Sequence, residues 1–315
     1  MIKKFLLSFC LLISFISAKE PIANAYTEVP KEDFVCIGSA KLFYRALGKG
    51  NPLIVLHGGA GVLSQDYLLP QLYKLAENNL VIFYDQRGCG ASTGDINADT
   101  INIETFVQDL DAIRQTLHFQ KISILGHSWG GFLAMQYALT YPESVEKLIL
   151  SNSMPAASEE YALFMQEYTR RTAPYQKELE AIQHTKEFAE GNSEIMEKMY
   201  RMLLRTYCYN PEKVQLLNLY IPPSASLRGA QVYEYFRRSI FIKSFNLYGA
   251  LQRLKIPTLI IHGDTDPIPL IAAQKIHENI KDSKYVVLTD CGHFPYVEQP
   301  DAWFNHTQIF LTTKS

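Results

Sequence analysis

Cysteine, charge of one sign and long apolar runs are all in short supply in this chain. Its formal net charge is -2 over 315 residues, which argues against nucleic acid or an anionic membrane surface as the main partner. The five cysteines are widely scattered and spell neither a disulfide framework nor a C-x-x-C metal pattern, so free, partly buried thiols are expected. No pair of histidines has ligand spacing, and neither a metal nor another cofactor is expected. Beyond the N-terminus no apolar run reaches the length of a membrane span, and there are no internal repeats. What the chain does have is 47% apolar and 20% charged residues, enough for a large core in one α/β domain with an insertion.

Residues 1–18 stand apart. Lys3 and Lys4 precede the apolar run Phe5–Ile16, and the small Ser17 and Ala18 come before polar Lys19 and Glu20. That is the layout of a secretory signal peptide. Export to the periplasm or the medium is expected, with no stable membrane insertion once the peptide is removed. Ala23-Asn24-Ala25 offers a second cut, after Ala25. Cys10 follows the bulky Phe9, where lipoprotein processing wants a small residue.

Apolar patterning organises the rest. Phe34–Ile37 and Lys41–Ala46 read as antiparallel strands turning at Gly38-Ser39. Leu53–Leu56 and Leu80–Tyr84 suit strands buried on both faces, and Val145–Leu150, Pro257–Ile261 and Tyr285–Leu288 read as further strands. Phe106, Leu110, Ile113 and Leu117 form a helical stripe, and a closing helix is expected over about Pro300–Leu311. Residues 155–250 show no convincing buried strand. There Ile195, Met199, Met202 and Leu203 share one helix face, and Ile221-Pro222-Pro223 marks a break between helices. Ten of the 19 tyrosines fall in this segment, so some should line a pocket for an apolar or ring-shaped group. The predicted organisation is a core over 19–153, a helical cap over 154–250 and the remainder of the core over 251–315.

Chemistry concentrates at strand ends. Ile122–Met135 reads as a buried strand, a sharp turn at Gly126-His127-Ser128-Trp129-Gly130, and a helix opening at about Trp129. This is the G-x-S-x-G nucleophile elbow in its required setting, with glycines removing side chains that would strike the neighbouring strand and helix. A serine nucleophile needs two N–H donors for the developing oxyanion. Trp129 would supply one, and the loop His57-Gly58-Gly59-Ala60-Gly61 the other, from Gly59 with Ala60 as the next choice. That loop matches neither a phosphate-binding P-loop nor G-x-G-x-x-G. His57 is expected to orient its loop by hydrogen bonding, and Asp85 and Arg87 to brace the site in the same way, with a structural ion pair as their default role. His293, in the loop after Tyr285–Leu288, would be the base. Asp266 is favoured to orient it, because it follows Gly263 by three residues and stands just before Pro267; Asp264 is the competing carboxylate. The chain order Ser, Asp, His belongs to α/β-hydrolases.

With these residues on the page, the chain resembles the proline iminopeptidases of the α/β-hydrolase superfamily. The similar motifs are HGGAG at 57–61, DQRGCGAS at 85–92, GHSWGG at 126–131, GDTDPI at 263–268 and CGHFPYVEQP at 291–300. The resemblance implies a mostly parallel sheet flanked by helices, with an inserted helical cap. It also implies a Ser128–Asp266–His293 triad, an oxyanion hole at Gly59 and Trp129, and release of N-terminal proline or another small residue from peptides. Ala60 and Ala91 depart from the family's usual HGGPG and DQRGCGRS. The family holds the substrate's amino group with cap glutamates; Val232 stands at one such position here, and Glu234 offers a carboxylate two residues on. Tryptophan-bearing cap motifs are missing, since the two tryptophans are Trp129 and Trp303. An ester hydrolase with an aromatic cap pocket and no amine anchor is therefore the alternative. A non-catalytic binding protein on the same scaffold is less favoured, because every triad position is filled.

Overall fold

The apolar runs become the strands of one eight-stranded sheet. The computed structural model describes residues 29–313; the proposed signal peptide, Cys10 and the alternative cut after Ala25 lie outside them. The strands are β1 (Lys31–Ile37), β2 (Ala40–Leu47), β3 (Asn51–Leu56), β4 (Asn79–Tyr84), β5 (Ile122–His127), β6 (Val145–Ser151), β7 (Thr258–Gly263) and β8 (Lys284–Leu288). Their order across the sheet is β1-β2-β4-β3-β5-β6-β7-β8. β1, β2 and β4 pair antiparallel, and β4 onward through β3 to β8 the pairs are parallel. The chain goes from β3 outward to β4 and then crosses back to β5. The switch point, where such sheets open a crevice for ligands, therefore lies between the carboxyl ends of β3 and β5.

Both faces of the sheet are covered, which is why β3, β4 and β5 read as continuous apolar runs. Alternate side chains go to opposite faces: Ile54, Leu56, Ile82 and Ile124 enter one core, and Leu53, Val55, Val81 and Leu125 the other. Helices α1 (Ile103–Thr116) and α2 (Trp129–Thr140) cover the first face. Asn102 caps α1 by accepting from the Thr105 N–H at 2.8 Å. Burying one such aliphatic side chain contributes roughly 1.5–3 kcal/mol, and trimming Leu53 or Ile124 to alanine would cost about 2–5 kcal/mol.

Between β6 and β7 the chain builds a helical layer. It comprises α3 (Ser158–Thr172), α4 (Gln176–Gln183), α5 (Lys186–Ala189), α6 (Ser193–Leu204) and α7 (Pro223–Phe236), which runs into a π-turn at Arg237–Phe241. Its two ends meet in a neck: Ala157 bridges Asn246, and Ser158 and Leu247 donate to the carbonyls of Phe245 and Ala156 at 2.9 Å. The core then resumes through α8 (Tyr248–Leu251), β7, α9 (Leu270–Asn279), β8, α10 (Pro295–Glu298) and α11 (Pro300–Thr312). Trp303, Phe304 and Phe310 of α11 close the second face of the sheet. Lys147, a lysine in a buried strand, makes sense against this helix. Its Nζ donates to the carbonyls of Phe310, Leu311 and Thr313, placing a cation on the carboxyl end of α11.

Short 3-10 segments at Gln65–Leu68 and Gln71–Glu77 have no counterpart in the periodicity reading. They are too short to show a repeat, and their local hydrogen bonds leave no pattern in the sequence. Cys36, Cys89, Cys208 and Cys291 are free, the first exposed and the others buried.

Candidate active site

Ser128 sits between β5 and α2 with φ 57 and ψ -122, a conformation L-residues rarely adopt. The glycines of the motif make that bend fit. A Cβ on Gly126 would overlap the backbone of Gly130, and one on Gly130 would overlap the carbonyl of Leu56 at the end of β3. The bend is held from below: Ser128 donates its N–H to Ser151, and its carbonyl accepts from Gly131 and Met154.

The glycine loop after β3 approaches the same point. A Cβ on Gly58 would lie 2.8 Å from the Ser128 Cβ, and Gly59 has φ 86. Among the described residues neither the Gly59 N–H nor the Trp129 N–H has a hydrogen-bond partner. The Trp129 amide is one of the orphan donors at the start of α2, where the helix dipole favours negative charge.

On the other side, the loops after β7 and β8 bring an acid to a histidine. His293 donates Nδ1–H to Asp266 Oδ2 at 2.8 Å. The same oxygen accepts from Asn152 Nδ2 at 2.6 Å, and Oδ1 accepts from the Ile268 N–H at 2.8 Å. Burial pushes the Asp266 carboxyl up, but His293, His262 and Asn152 together outweigh it and hold the group below its ordinary value. Asp264 does something else: its Oδ1 accepts from the Cys291 N–H at 3.2 Å and so shapes the histidine loop. Neither the Ser128 hydroxyl nor His293 Nε2 has a hydrogen-bond partner among the described residues, and both stay available to a third group.

A buried relay ties the three loops together. His127 is held neutral by burial, at about 3. Its Nε2 lies 2.8 Å from the His293 carbonyl, which can only accept, so Nε2 carries the proton and Nδ1 is bare. Tyr67 therefore donates its hydroxyl to Nδ1 at 2.6 Å and accepts the Gly58 N–H at 2.7 Å. His57 follows the same logic. Gln86 donates its N–H to Nε2 at 3.0 Å, leaving Nδ1–H to the Gly58 carbonyl at 2.8 Å. Gln86 also accepts the Trp129 indole N–H at 2.8 Å and donates to the His57 carbonyl at 2.7 Å.

Asp85 and Arg87 brace separate places and are not paired with each other. Asp85 accepts from the N–H groups of Gln65 and Ala91 at 3.0 and 2.8 Å, and burial holds its carboxyl up at about 6. Arg87 forms a two-pronged pair with buried Asp109 at 2.6 and 2.9 Å.

The helical layer rests on this edge at two points. α7 lies on the glycine loop, where a Cβ on Gly229 would overlap the Gly61 carbonyl, and Arg228 donates to the Gly90 carbonyl at 2.9 Å. On the histidine side, the Tyr207 carbonyl accepts the His293 N–H at 2.8 Å, with the two rings 5.2 Å apart. Glu298 joins the layers by accepting from Tyr209, Gly292 and Phe294 at 2.7, 3.1 and 3.3 Å.

Glu234 is not brought into the cluster. Gly229, Val232 and Phe236 form the buried face of α7, and Glu234, two residues past Val232, is rotated about 200° away. Its carboxylate is partly exposed and forked by Arg237 and Arg238, whose hydrogen bonds lower it to about 2. The sequence reading missed Asn152, Tyr67, Gln86 and Glu298. Asn152 carries a signal, since it stands at the carboxyl end of a strand in a conformation of φ 46 that asparagine tolerates better than most residues.

Among the described residues no group of three or more His, Cys, Asp or Glu side chains could hold a metal ion, and no helix is long and apolar enough to cross a membrane. The arrangement can activate a hydroxyl beside two free N–H donors, which is what acyl transfer requires.

Residues 51–300 match the family described as alpha/beta hydrolase fold. The chain is 30% identical over 279 residues to a proline iminopeptidase of Clostridium botulinum (strain Hall), covering 84% of this chain and 92% of that one. It is 31% identical over 276 residues to a proline iminopeptidase of Saccharolobus solfataricus, covering 85% and 87%. In structure it is similar to an alpha/beta fold family hydrolase from Bacillus anthracis str. Sterne, with a TM-score of 0.71 at 21% identity over 89% of this chain and 99% of that one. The chain belongs to the proline iminopeptidase-like family of the α/β-hydrolase superfamily.

Proposed function

We propose that the protein is an exported serine aminopeptidase that releases N-terminal proline or another small residue from peptides. The observation that carries this reading is the buried Asp266–His293 pair at 2.8 Å, tied at the His293 carbonyl to His127, the residue before a serine at positive φ, with two unpartnered N–H groups at the same elbow and glycine loop. Relatives named proline iminopeptidase support the substrate class. In this mechanism His293 takes the Ser128 proton as Oγ attacks the acyl carbon. The oxyanion is received by the N–H groups of Gly59 and Trp129. Asp266 fixes the imidazole tautomer and stabilises the imidazolium, which then returns the proton to the leaving amine. Water repeats the sequence on the acyl-enzyme and frees the N-terminal residue.

Ester hydrolysis is the second reading, favoured by the occupied, outward carboxylate of Glu234. The test offers purified protein proline and alanine amides beside short acyl esters. Cleavage of free-amine amides supports the aminopeptidase; hydrolysis of esters alone, with all amides inert, rejects it. Export rests on residues 1–18, and recovery of the mature chain only from the cytosolic fraction would reject that part.

A further inference from the structure

Every carboxylate on α3 and α7, the helices over the site, is already ion-paired. Glu159 and Glu160 share Lys275, Glu167 lies between Arg170 and Arg171, and Glu234 between Arg237 and Arg238. What these helices and the Tyr207 turn present is aromatic. Ring contacts run in an unbroken arc from His293 to Trp129. Tyr207 is 5.2 Å from His293, Tyr168 6.2 Å from Tyr207, Phe164 6.3 Å from Tyr168, and Tyr161 5.8 Å from Phe164. Phe241 completes it, 5.3 Å from Tyr161 and 5.8 Å from Trp129, with Tyr233 6.0 Å from Phe241. Both ends of the arc are tied to the elbow: Trp129 follows Ser128 in the chain, and His127, which precedes it, holds the His293 carbonyl at 2.8 Å with the two rings 4.8 Å apart. The hydroxyls of Tyr161, Tyr168, Tyr207 and Tyr233 have no hydrogen-bond partner among the described residues, yet none is sealed from solvent as Tyr84's is.

We propose that the substrate's ammonium group is held by the ring faces and phenolic oxygens of Tyr161, Tyr168, Tyr207 and Tyr233, in place of a carboxylate. The inference rests on the aminopeptidase reading and deepens it. A cation in front of an aromatic face is drawn to the ring quadrupole, and each phenolic oxygen can accept from an ammonium N–H. Burial raises all four phenols above their ordinary value, so they remain neutral acceptors. A neutral anchor also leaves Asp266 as the negative charge facing His293.

The test compares a prolyl amide bearing a free amino group with its N-acetyl counterpart, in wild type and in Tyr161→Leu, Tyr161→Phe, Tyr207→Leu and Glu234→Gln. Each leucine variant is expected to lower the preference for the free amine by about 3- to 30-fold, mainly through KM. Tyr161→Phe, which keeps the ring, should lose less than Tyr161→Leu, and Glu234→Gln should leave the preference within about twofold. Thermal unfolding checks that each variant is folded; if Tyr161→Leu is not, Tyr161→Phe and Tyr207→Leu decide. Equal losses on both substrates, or a larger loss in Glu234→Gln, would overturn the aromatic anchor and leave the aminopeptidase standing. A wild type inert to every free-amine amide would overturn both.

Discussion

The loops at the carboxyl edge of the sheet and the helices above them are built by opposite means. In the loops, glycines let backbones touch, and a chain of buried polar groups is matched donor to acceptor from Gly58 through Tyr67 and His127 to His293. In the helical layer, aromatic rings from Tyr207 to Phe241 are placed by packing on one another, and Glu234 pairs with Arg237 and Arg238 on the partly exposed side of α7. The loops are pre-organised to one geometry. The helical layer is held by ring packing, which tolerates volume-conserving exchange better than a matched chain of buried hydrogen bonds does.

The sharpest way to break this contrast is Asp266→Asn, which should lower kcat by roughly 10⁴-fold with the fold intact. Asp264→Asn should lose far less, since its carboxylate serves the Cys291 N–H. Steady-state kinetics on both variants separates the two carboxylates.

Acid should act on the loops before the helical layer. His127 and His57 are held neutral by burial at about 3 and about 4, against 6.5 when free. Below about 6.5 the unfolded chain binds more protons at these sites, so stability falls as pH drops toward 4. Asp85, raised by burial to about 6, works the other way and offsets part of the loss, because its contribution fades as pH rises toward 6. His262, also lowered by burial, adds to the loss, and Asp109 and Glu298, also raised, add to the offset; the large shifts of His127 and His57 set the expected sign, a net loss of stability toward acid. Denaturant midpoints measured from pH 7 to pH 4 check the sign.

Tyr67→Phe is expected to cost about 1–3 kcal/mol by leaving the Gly58 N–H and His127 Nδ1 unmatched. That lowers the thermal midpoint by roughly 2–4 °C per kcal/mol. The smallest effect belongs to Glu234→Gln, which should leave the thermal midpoint nearly unchanged, because exposed ion pairs contribute little.

Much of the fold was legible because β3, β4 and β5 are buried on both faces and therefore read as plain apolar runs. Their loops were legible where one motif contains its own reason, as Gly126 and Gly130 do around Ser128. The rest depends on partners distant in sequence. Asn152 reaches Asp266 across 114 positions, and His127 reaches the His293 carbonyl across 166. No local pattern carries such contacts. Glu234 misled for a related reason: it is close in sequence to the face of α7 that touches the core, but the helical turn carries it to the opposite side.

Reaction with a fluorophosphonate probe tests the central claim most directly, because the reagent reports an activated serine without assuming a substrate. Peptide mass spectrometry should find the adduct on Ser128, absent in Ser128→Ala and strongly reduced in His293→Ala. Labelling on another residue, or turnover retained by Ser128→Ala, would contradict it.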